Sequence, residues 1–310
     1  MKAVASSFVP AEAVAPLKAT ASRDKSLAAL LAELFKARLT FLVVLTTLVG
    51  FYMGSHGTPA YGLMIHTVLA TALLASGAAA LNQVLERDYD AKMKRTQDRP
   101  LPSGRMSPEA ALLIGGICGL GGLVYLTLAV NLLTAFLGAV TLCSYIFVYT
   151  PLKRVTTLNT VIGAVPGALP PLMGWTAAQD SVSGAGWALF ALLFFWQLPH
   201  FLAIAWMYRE DYRNAGFVML PSVDPEGFRT GRQALCHTLG LLPISLCFFE
   251  LRLVGAVYLG LALALGLVFV WQAWRFAREL TQARARTLFY TSILYLPLLL
   301  ILMVLDKIRT

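Results

Sequence analysis

Nine long apolar runs divide the chain, and they constrain its fold more than any other feature. Their approximate bounds are 37–54, 62–85, 108–128, 131–149, 157–177, 185–207, 231–249, 253–274 and 288–306. A helix of about 20 apolar residues crosses the roughly 30 Å hydrocarbon core of a bilayer. Because backbone polar groups inside a membrane must be satisfied internally, such runs fold as helices. We therefore predict an all-α polytopic membrane protein, with about nine transmembrane helices around a central cavity open to the cytoplasmic side.

Charged residues are few and unevenly distributed. Of the 310 residues, 58% are hydrophobic and 13% are charged, which is too apolar for a soluble domain of this length. If the N-terminus lies inside, 22 of the 25 lysines and arginines fall on the inner side. This asymmetry is the positive-inside bias of membrane proteins. The placement of the basic residues thus indicates a cytoplasmic N-terminus and the lipid bilayer as a partner, and the net charge of +9 does not indicate nucleic-acid binding.

The N-terminal part of the chain has a different pattern. Ser26 is suited to cap a short helix, and the leucines from Leu27 to Leu34 follow the spacing of an amphipathic face. We predict that this helix lies on the membrane surface, in an N-terminal tail (1–35) ahead of a transmembrane domain (36–310). The first 25 residues contain no recognisable signal peptide and no convincing transit peptide, which favours the bacterial plasma (inner) membrane over the mitochondrial one.

The stretch from Leu81 to Arg105 brings acids and bases together where the second apolar run leaves the membrane. Asn82, Glu86 and Asp90 are spaced i, i+4, i+8, so on a helix they drift only slowly around one face. These three residues are termed the acid stripe. One amide oxygen and two carboxylates form a hard-oxygen surface that suits Mg²⁺. The stripe is therefore predicted to hold a metal ion.

Basic residues follow the acid stripe directly. Lys94, Arg95 and Arg99 lie in the same stretch, and Lys153 and Arg154 lie in the inner loop after the fourth run. Carboxylates that hold a metal, together with cations that take the remaining charge, make a site for a metal-bridged phosphate ester. The alternative is an ordinary charged loop at a frayed helix end, in which the two loop cations only set the topology.

The sixth run contains an ionisable group in an apolar setting. His200 lies within the sequence Trp196–Phe201, where Pro199 is expected to kink the helix. A histidine there could act as a base, a hydrogen-bond donor or an axial ligand to a metalloporphyrin iron. The alternative is a structural histidine that forms hydrogen bonds between helices.

A second group of acids and bases follows the sixth run, where that run leaves the membrane. This second charged segment contains Arg209, Glu210 and Asp211. The loop after it includes MLPSVDPEGF, which is weakly similar to LPSGRMSPEA in the loop after the second run. The similarity predicts two four-helix halves that face a shared cavity, although chance also produces a match this short.

Together these pieces resemble the intramembrane (UbiA-type) prenyltransferase superfamily, and within it the branch whose members farnesylate haem. The resemblance extends from about residue 36 to the C-terminus. The similar motifs are NQVLERDYDAKMKRTQDRPL (82–101), YTPLKR (149–154), PGALPPLMGW (166–175), WQLPHF (196–201) and DYRNAGFVMLP (211–221). Glu86 stands where most members of the superfamily carry Asp, and the second charged segment lacks a clear D-x-x-x-D.

The resemblance implies an activity and roles for named residues. It implies transfer of a farnesyl group from farnesyl diphosphate to a vinyl group of haem B, with Mg²⁺ as cofactor and hand-off of the product to a haem A synthase or to terminal oxidase assembly. The implied catalytic residues are Asp90, Glu86 and His200. The implied metal ligands are Asn82, Glu86 and Asp90 for one ion, and Asp211 with Glu210 for a second. The implied substrate contacts are Asn82, Lys94, Arg95, Arg99, Lys153, Arg154 and Arg209.

Three other functions fit parts of the sequence. A related prenyltransferase would act on another aromatic acceptor, such as a quinone precursor, but the WQLPHF and RTQDRPL runs favour haem. A transporter would suit about nine spans with embedded polar groups, although its charged groups are expected near the bilayer midplane and not at one mouth. A non-catalytic haem-handling protein would need the histidines but not the acid stripe.

Overall fold

The computed structural model describes residues 26–308, and within that range the secondary structure is helical apart from one isolated bridge. The helices are α1 (Leu27–Leu34), α2 (Ala37–Gly54), α3 (Tyr61–Asp90), α4 (Pro108–Ala129), α5 (Leu132–Cys143), a π-helical segment (Ser144–Tyr149), α6 (Thr150–Leu152), α7 (Asn159–Gln179), α8 (Gly184–Met207), α9 (Arg209–Asn214), α10 (Leu220–Val223), α11 (Phe228–Glu250), α12 (Ala256–Glu279) and α13 (Gln282–Leu305). The interpretations made for residues 1–25 lie outside the described residues.

Nine segments of the described chain are long and apolar enough to cross a membrane, which confirms the nine predicted runs. They are α2, α3, α4, the combined segment Leu132–Leu152, α7, α8, α11, α12 and α13. Three helices differ most from their predicted bounds. Helix α3 continues past residue 85 to Asp90, α12 continues past residue 274 to Glu279, and α13 begins at Gln282 instead of residue 288. A helix continues through charged residues once their side chains reach water and headgroups, so an apolar run underestimates its length.

Side-chain caps fix the starts of several helices. The Ser26 hydroxyl accepts from the Ala29 amide at 3.3 Å, which confirms the predicted start of α1. The Ser107 hydroxyl caps α4 in the same way, with Pro108 at the first helical position. Thr281 caps α13 and explains why that helix begins earlier than its apolar run.

Helices α2 and α7 approach each other closely because glycines lie at their interface. A Cβ atom built on Gly50 would lie 2.0 Å from the carbonyl oxygen of Pro171, and one on Gly174 would lie 1.9 Å from that of Thr47. Neither position has room for a side chain. Small residues that let backbones touch are a common means of association between helices in membranes.

The hydrophobic core has a large and a small part. The large cluster is built mainly from α8, α11, α12 and α13 and also includes residues of α2 and α7, and the small one joins α3, α4, α5 and α7. Helix α7 packs on α2 and α5 as well as on α8, and so it connects the two predicted halves of the chain. The internal symmetry of those halves stays a prediction.

Three loops are bonded together at the end of the bundle where α3 finishes. The carbonyl of Lys153 accepts from the Val218 amide at 2.7 Å, and Asn159 donates to the Val218 carbonyl at 2.8 Å. Arg95 donates to the Tyr212 hydroxyl at 3.1 Å. The loops after α3, α6 and α9 therefore form one unit around the acid stripe.

Candidate active site

The acid stripe lies on the last turns of α3 and is buried. Asn82 is 0% exposed, Glu86 is 5% exposed and Asp90 is 1% exposed. Asp88 lies on another face of the same helix, where its side chain is 76% exposed. The spacing of the stripe thus identified the buried face correctly. Buried carboxylate and amide oxygens need partners, and the partners define the site.

Both carboxylates of the stripe are paired with cations, one from the loop that follows α3 and one from a loop much later in the chain. Lys153 Nζ donates to Glu86 Oε1 at 2.7 Å, and Arg99 Nη1 donates to Asp90 Oδ2 at 2.6 Å. Burial by itself would lower the pKa of Lys153, but the charge of Glu86 outweighs burial and raises that pKa above its ordinary value. The Tyr149 ring lies 4.5 Å from the Lys153 ammonium and supports it. Lys153 is therefore held in its charged form.

The amide of the stripe also has a cationic partner, which the sequence analysis did not include. Lys36 Nζ donates to Asn82 Oδ1 at 2.5 Å from the turn between α1 and α2. Burial, followed by the charge of Arg99, lowers the pKa of Lys36 to about 7. A lone lysine before an apolar run ordinarily indicates topology. No spacing rule connects it to a residue in the next helix, so only the folded chain reveals this contact.

Thr150 sets the orientation of the Asn82 amide. The Thr150 hydroxyl donates its single proton to the carbonyl of Tyr145 at 2.8 Å, so it must accept from Asn82 Nδ2 at 3.1 Å. This assignment turns the amide oxygen toward Lys36 and away from the threonine. Tyr145 lies in the π-helical segment, an element that is rare and frequent at functional sites. The sequence motif YTPLKR contained Thr150, but its role follows only from this contact.

Replacing Thr150 with valine is expected to reduce kcat/KM for the diphosphate substrate about 10- to 100-fold, the usual effect of losing a residue that orients a metal ligand. The shape is kept, but the Asn82 amide loses its acceptor and can rotate. Steady-state kinetics with membranes of equal protein content test this. Thr127→Val is the matched control, because the Thr127 hydroxyl bonds only within its own exposed helix face. Equal kinetics for the two variants would contradict the orienting role.

The remaining predicted cations have different surroundings. Arg95, Arg154 and Arg209 each lie over an aromatic ring, with guanidinium-to-centroid distances of 5.3, 4.8 and 4.4 Å. Lys94 is exposed. Cation–π contacts of this kind hold neighbouring loops together. The structure therefore brings two of the predicted cations, Arg99 and Lys153, into direct contact with the acid stripe, and the substrate contacts predicted for the other four stay a prediction.

The predicted second pair of metal ligands lies on α9. Glu210 is exposed and Asp211 is half-buried. Within residues 26–308, no three His, Cys, Asp or Glu side chains converge as a group that could hold a metal ion. The acid stripe still fits Mg²⁺, because this ion is held by one or two protein carboxylates and takes its other ligands from water and substrate phosphates. The role of Glu210 and Asp211 stays a prediction.

His200 lies between α8 and α13, in an aromatic sandwich. Its ring stacks on Trp196 and Phe289, with centroid distances of 5.1 and 5.0 Å. His200 Nδ1 lies 2.8 Å from the Ser292 hydroxyl, which itself bonds to the Phe289 carbonyl at 2.6 Å. If the serine proton goes to that carbonyl, Nδ1 carries the imidazole proton and Nε2 keeps a lone pair. The described contacts of His200 lie on α8 and α13, apart from those of the acid stripe, so its role stays a prediction.

Comparison with known proteins places this arrangement among membrane-bound transferases. The family described as the UbiA prenyltransferase family matches residues 43–297. Among curated proteins, the chain is similar to the protoheme IX farnesyltransferase of Solibacter usitatus. The two are 47% identical over 284 residues, which cover 89% of this chain and 97% of that protein.

Solved structures share the fold at low sequence identity. A structure described as digeranylgeranylglyceryl phosphate synthase has a TM-score of 0.77 and 15% identity, and it covers 90% of this chain and 98% of its own. A UbiA homologue from Archaeoglobus fulgidus, bound to GPP and Mg²⁺, has a TM-score of 0.64 and 16% identity. Its match covers 88% of this chain and 99% of that protein. At these sequence identities, the comparison with solved structures shows only that the fold is shared.

Proposed function

The chain belongs to the UbiA prenyltransferase family, and from this premise we propose that it transfers a farnesyl group from farnesyl diphosphate to a vinyl group of protohaem IX (haem B). The product is haem O, and diphosphate is released. The likeness to the Solibacter usitatus farnesyltransferase along nearly its whole length supports the two substrates. The observation on the chain itself that carries the proposal is the buried acid stripe with its cations, because a diphosphate leaving group needs both.

The acid stripe would hold Mg²⁺. Asn82, Glu86 and Asp90 supply oxygen atoms of the right chemistry, and the structural relative from Archaeoglobus fulgidus is bound to Mg²⁺ together with GPP. When bound, the ion would supply Lewis-acid stabilisation of negative charge on the phosphate oxygens. Asp211 with Glu210 are proposed to hold a second ion.

The cations of the site stabilise the leaving group. The C1–O bond of farnesyl diphosphate breaks, and its electron pair departs with the diphosphate. Lys153 and Arg99 lie beside the stripe and can turn from the carboxylates to the departing oxygens. Lys94, Arg95, Arg154 and Arg209 are proposed as further substrate contacts.

The allylic cation is then captured by the acceptor. The vinyl π electrons of haem form a new bond to C1, and water adds to the carbon left electron-deficient and loses a proton, which gives a hydroxyethylfarnesyl group. The apolar surroundings limit earlier attack by water. His200 is proposed to position haem or this water through Nε2, with Trp196 and Phe201 shielding the cation.

Replacing His200 with alanine is expected to impair haem use more than diphosphate use. A change in KM or Kd for haem of about 10-fold or more corresponds to one good hydrogen bond or ligand contact, whereas KM for farnesyl diphosphate should stay within about threefold. Haem titration followed by absorbance and two-substrate kinetics separate the effects. His66→Ala is the control, since His66 lies in a different helix and bonds to Tyr125. Unchanged haem affinity and rate would remove His200 from the site.

Nine candidate spans and the family make the chain a multi-pass membrane protein. We further propose that it lies in the bacterial plasma membrane with its N-terminus and the mouth of the site on the cytoplasmic side. The charge asymmetry of the loops supports this orientation. The lipid-soluble product is proposed to pass to a haem A synthase or to terminal oxidase assembly.

A turnover assay tests the proposed function. Detergent-purified protein is incubated with haem B, farnesyl diphosphate and Mg²⁺, with EDTA in a parallel sample, and the products are identified by mass. A farnesylated haem that depends on Mg²⁺ is the expected result. Prenylation of 4-hydroxybenzoate without any haem product would assign another acceptor, and no product with either acceptor would favour a transporter.

A further inference from the structure

We propose that Lys36 is a further binding residue of the diphosphate site, delivered to the acid stripe by the turn between α1 and α2. The inference rests on the proposed function and adds a residue that neither the motif spacing nor the predicted cations include. In the resting protein Lys36 holds the amide oxygen of Asn82. When substrate is bound, the ammonium releases this oxygen and donates to the diphosphate.

The pairing of Lys36 differs from that of the other two cations at the stripe. Lys153 has the carboxylate of Glu86 as its partner, and Arg99 has that of Asp90. The described partner of Lys36 is a neutral amide oxygen. The half-buried Lys36 ammonium lies beside two acids that are already paired with other cations. An anionic ligand would give this ammonium a negatively charged partner. The two unused N–H groups of the ammonium remain available for that ligand.

The backbone at Lys36 has a conformation that is unfavourable for lysine. Its φ of 47° and ψ of 53° lie in the left-handed region. That region is unfavourable for a residue with a Cβ atom and favours glycine. Residues held in such conformations concentrate at binding and active sites, where the surrounding structure imposes them. A glycine here would relieve the strain, so the surrounding structure and not the preference of lysine sets this backbone conformation.

The surrounding structure fixes this turn from the side of α3. Gln83, which is fully buried, donates to the carbonyls of Glu33 and Leu34 at 2.9 and 2.8 Å. Gln83 is the residue next to Asn82, so one part of α3 both holds the end of α1 and receives the Lys36 ammonium. The turn is therefore fixed relative to the acid stripe.

Helix α1 is anchored over the same region by apolar packing. Leu34 is fully buried in a cluster with Ala80, Leu101 and Ala111. Arg105 links the loop after α3 to α1 by donating to Glu33 Oε2 at 3.1 Å. The interfacial helix predicted from the sequence is thus part of the construction of the site. Its packing holds Lys36 in place, and we expect diphosphate binding to depend on that lysine.

Removal of the side chain tests the proposal without adding strain. Lys36→Gly should leave the melting temperature of the full-length purified protein within a few degrees of wild type, because glycine accepts the left-handed turn. The Kd for inorganic pyrophosphate in the presence of MgCl₂, measured by titration calorimetry, should rise about 10- to 100-fold, as for other losses around a metal site. KM for farnesyl diphosphate should rise similarly, with a smaller change in kcat. Lys36→Arg should recover most of the binding.

Arg38→Met is the matched control, because it removes an exposed positive charge at the start of α2, and it should bind pyrophosphate like wild type. Wild-type pyrophosphate affinity in Lys36→Gly would overturn the proposal. If Lys36→Gly is unstable, Lys36→Met, which keeps the apolar stem, is measured instead, and its wild-type affinity would overturn the proposal equally. Loss of pyrophosphate binding in a protein that fails to farnesylate haem would support Lys36 and refute the haem acceptor, so the two conclusions fail separately.

Discussion

Replacing Asp90 with asparagine is expected to reduce turnover about 1,000-fold or more, while the protein still inserts and folds. Asp90 is buried and is the last residue of the acid stripe. Its carboxylate pairs with Arg99. Asparagine keeps the shape and one acceptor for the arginine but removes the charge. A loss of this size is in line with weakening the hold on the proposed Mg²⁺, whose positive charge would stabilise the leaving group in a water-poor site. Single-turnover formation of farnesylated haem is the measurement.

The same helix provides the control for Asp90. Asp88 lies two residues earlier, has a largely exposed side chain and pairs with Arg87 at the surface. Asp88→Asn should retain near-wild-type turnover, because exposed pairs of this kind contribute little. Comparable melting temperatures for the two variants would separate chemistry from folding. Near-normal turnover of purified Asp90→Asn would refute the assignment of the stripe as the metal site.

Replacing Glu86 with glutamine is expected to reduce turnover about 100- to 1,000-fold. The change removes a stripe carboxylate and leaves the buried Lys153 ammonium without a negative partner. Loss of one member of a buried ion pair also costs stability, by about 3–5 kcal/mol when the remaining charge is fully buried. We therefore expect a lower melting temperature as well as slower turnover. The double variant Glu86→Gln/Lys153→Met should regain stability but not activity, which distinguishes the two effects.

A second variant at this position tests the length of the Glu86 side chain. Glu86→Asp keeps the charge but withdraws the carboxylate by one methylene from Lys153, so an intermediate loss of about 10-fold is expected, as for a displaced ligand. Glu109→Gln, an exposed acid in the first turn of α4, is the control and should have little effect. If Glu86→Gln had the turnover of the control, the stripe would not act as a metal site.

The composition and periodicity of the sequence determined the class of the fold and most of its helices. Nine apolar runs predict nine membrane-crossing helices because only helices satisfy the backbone within lipid, and the described chain confirms them. Caps at Ser26 and Ser107 were predictable because the hydroxyl accepts from an amide only three residues later in the sequence. Local rules of this kind hold whatever the rest of the chain does.

The acid stripe was predictable for the same reason, since residues four apart on one helix share a face. The partners of the stripe were only partly predictable. Lys153 and Arg99 were predicted as substrate contacts together with the other basic residues of these loops. Nothing in the sequence distinguished them from Arg95 or Arg154. The difference between a cation that contacts a carboxylate and one that stacks on a ring depends on how three loops meet.

The sequence by itself determined which residue types the site could use and on which helix the acids lie. The tertiary structure alone decided which cation faces which oxygen. Lys36 reaches Asn82 across 46 positions of chain, and Thr150 orients the same amide from 68 positions away. Such contacts depend on helix packing, which follows from the shapes of many side chains together and from close approaches such as that at Gly50. No periodicity in the sequence carries that information, because periodicity describes a residue's own helix and not the helix it meets.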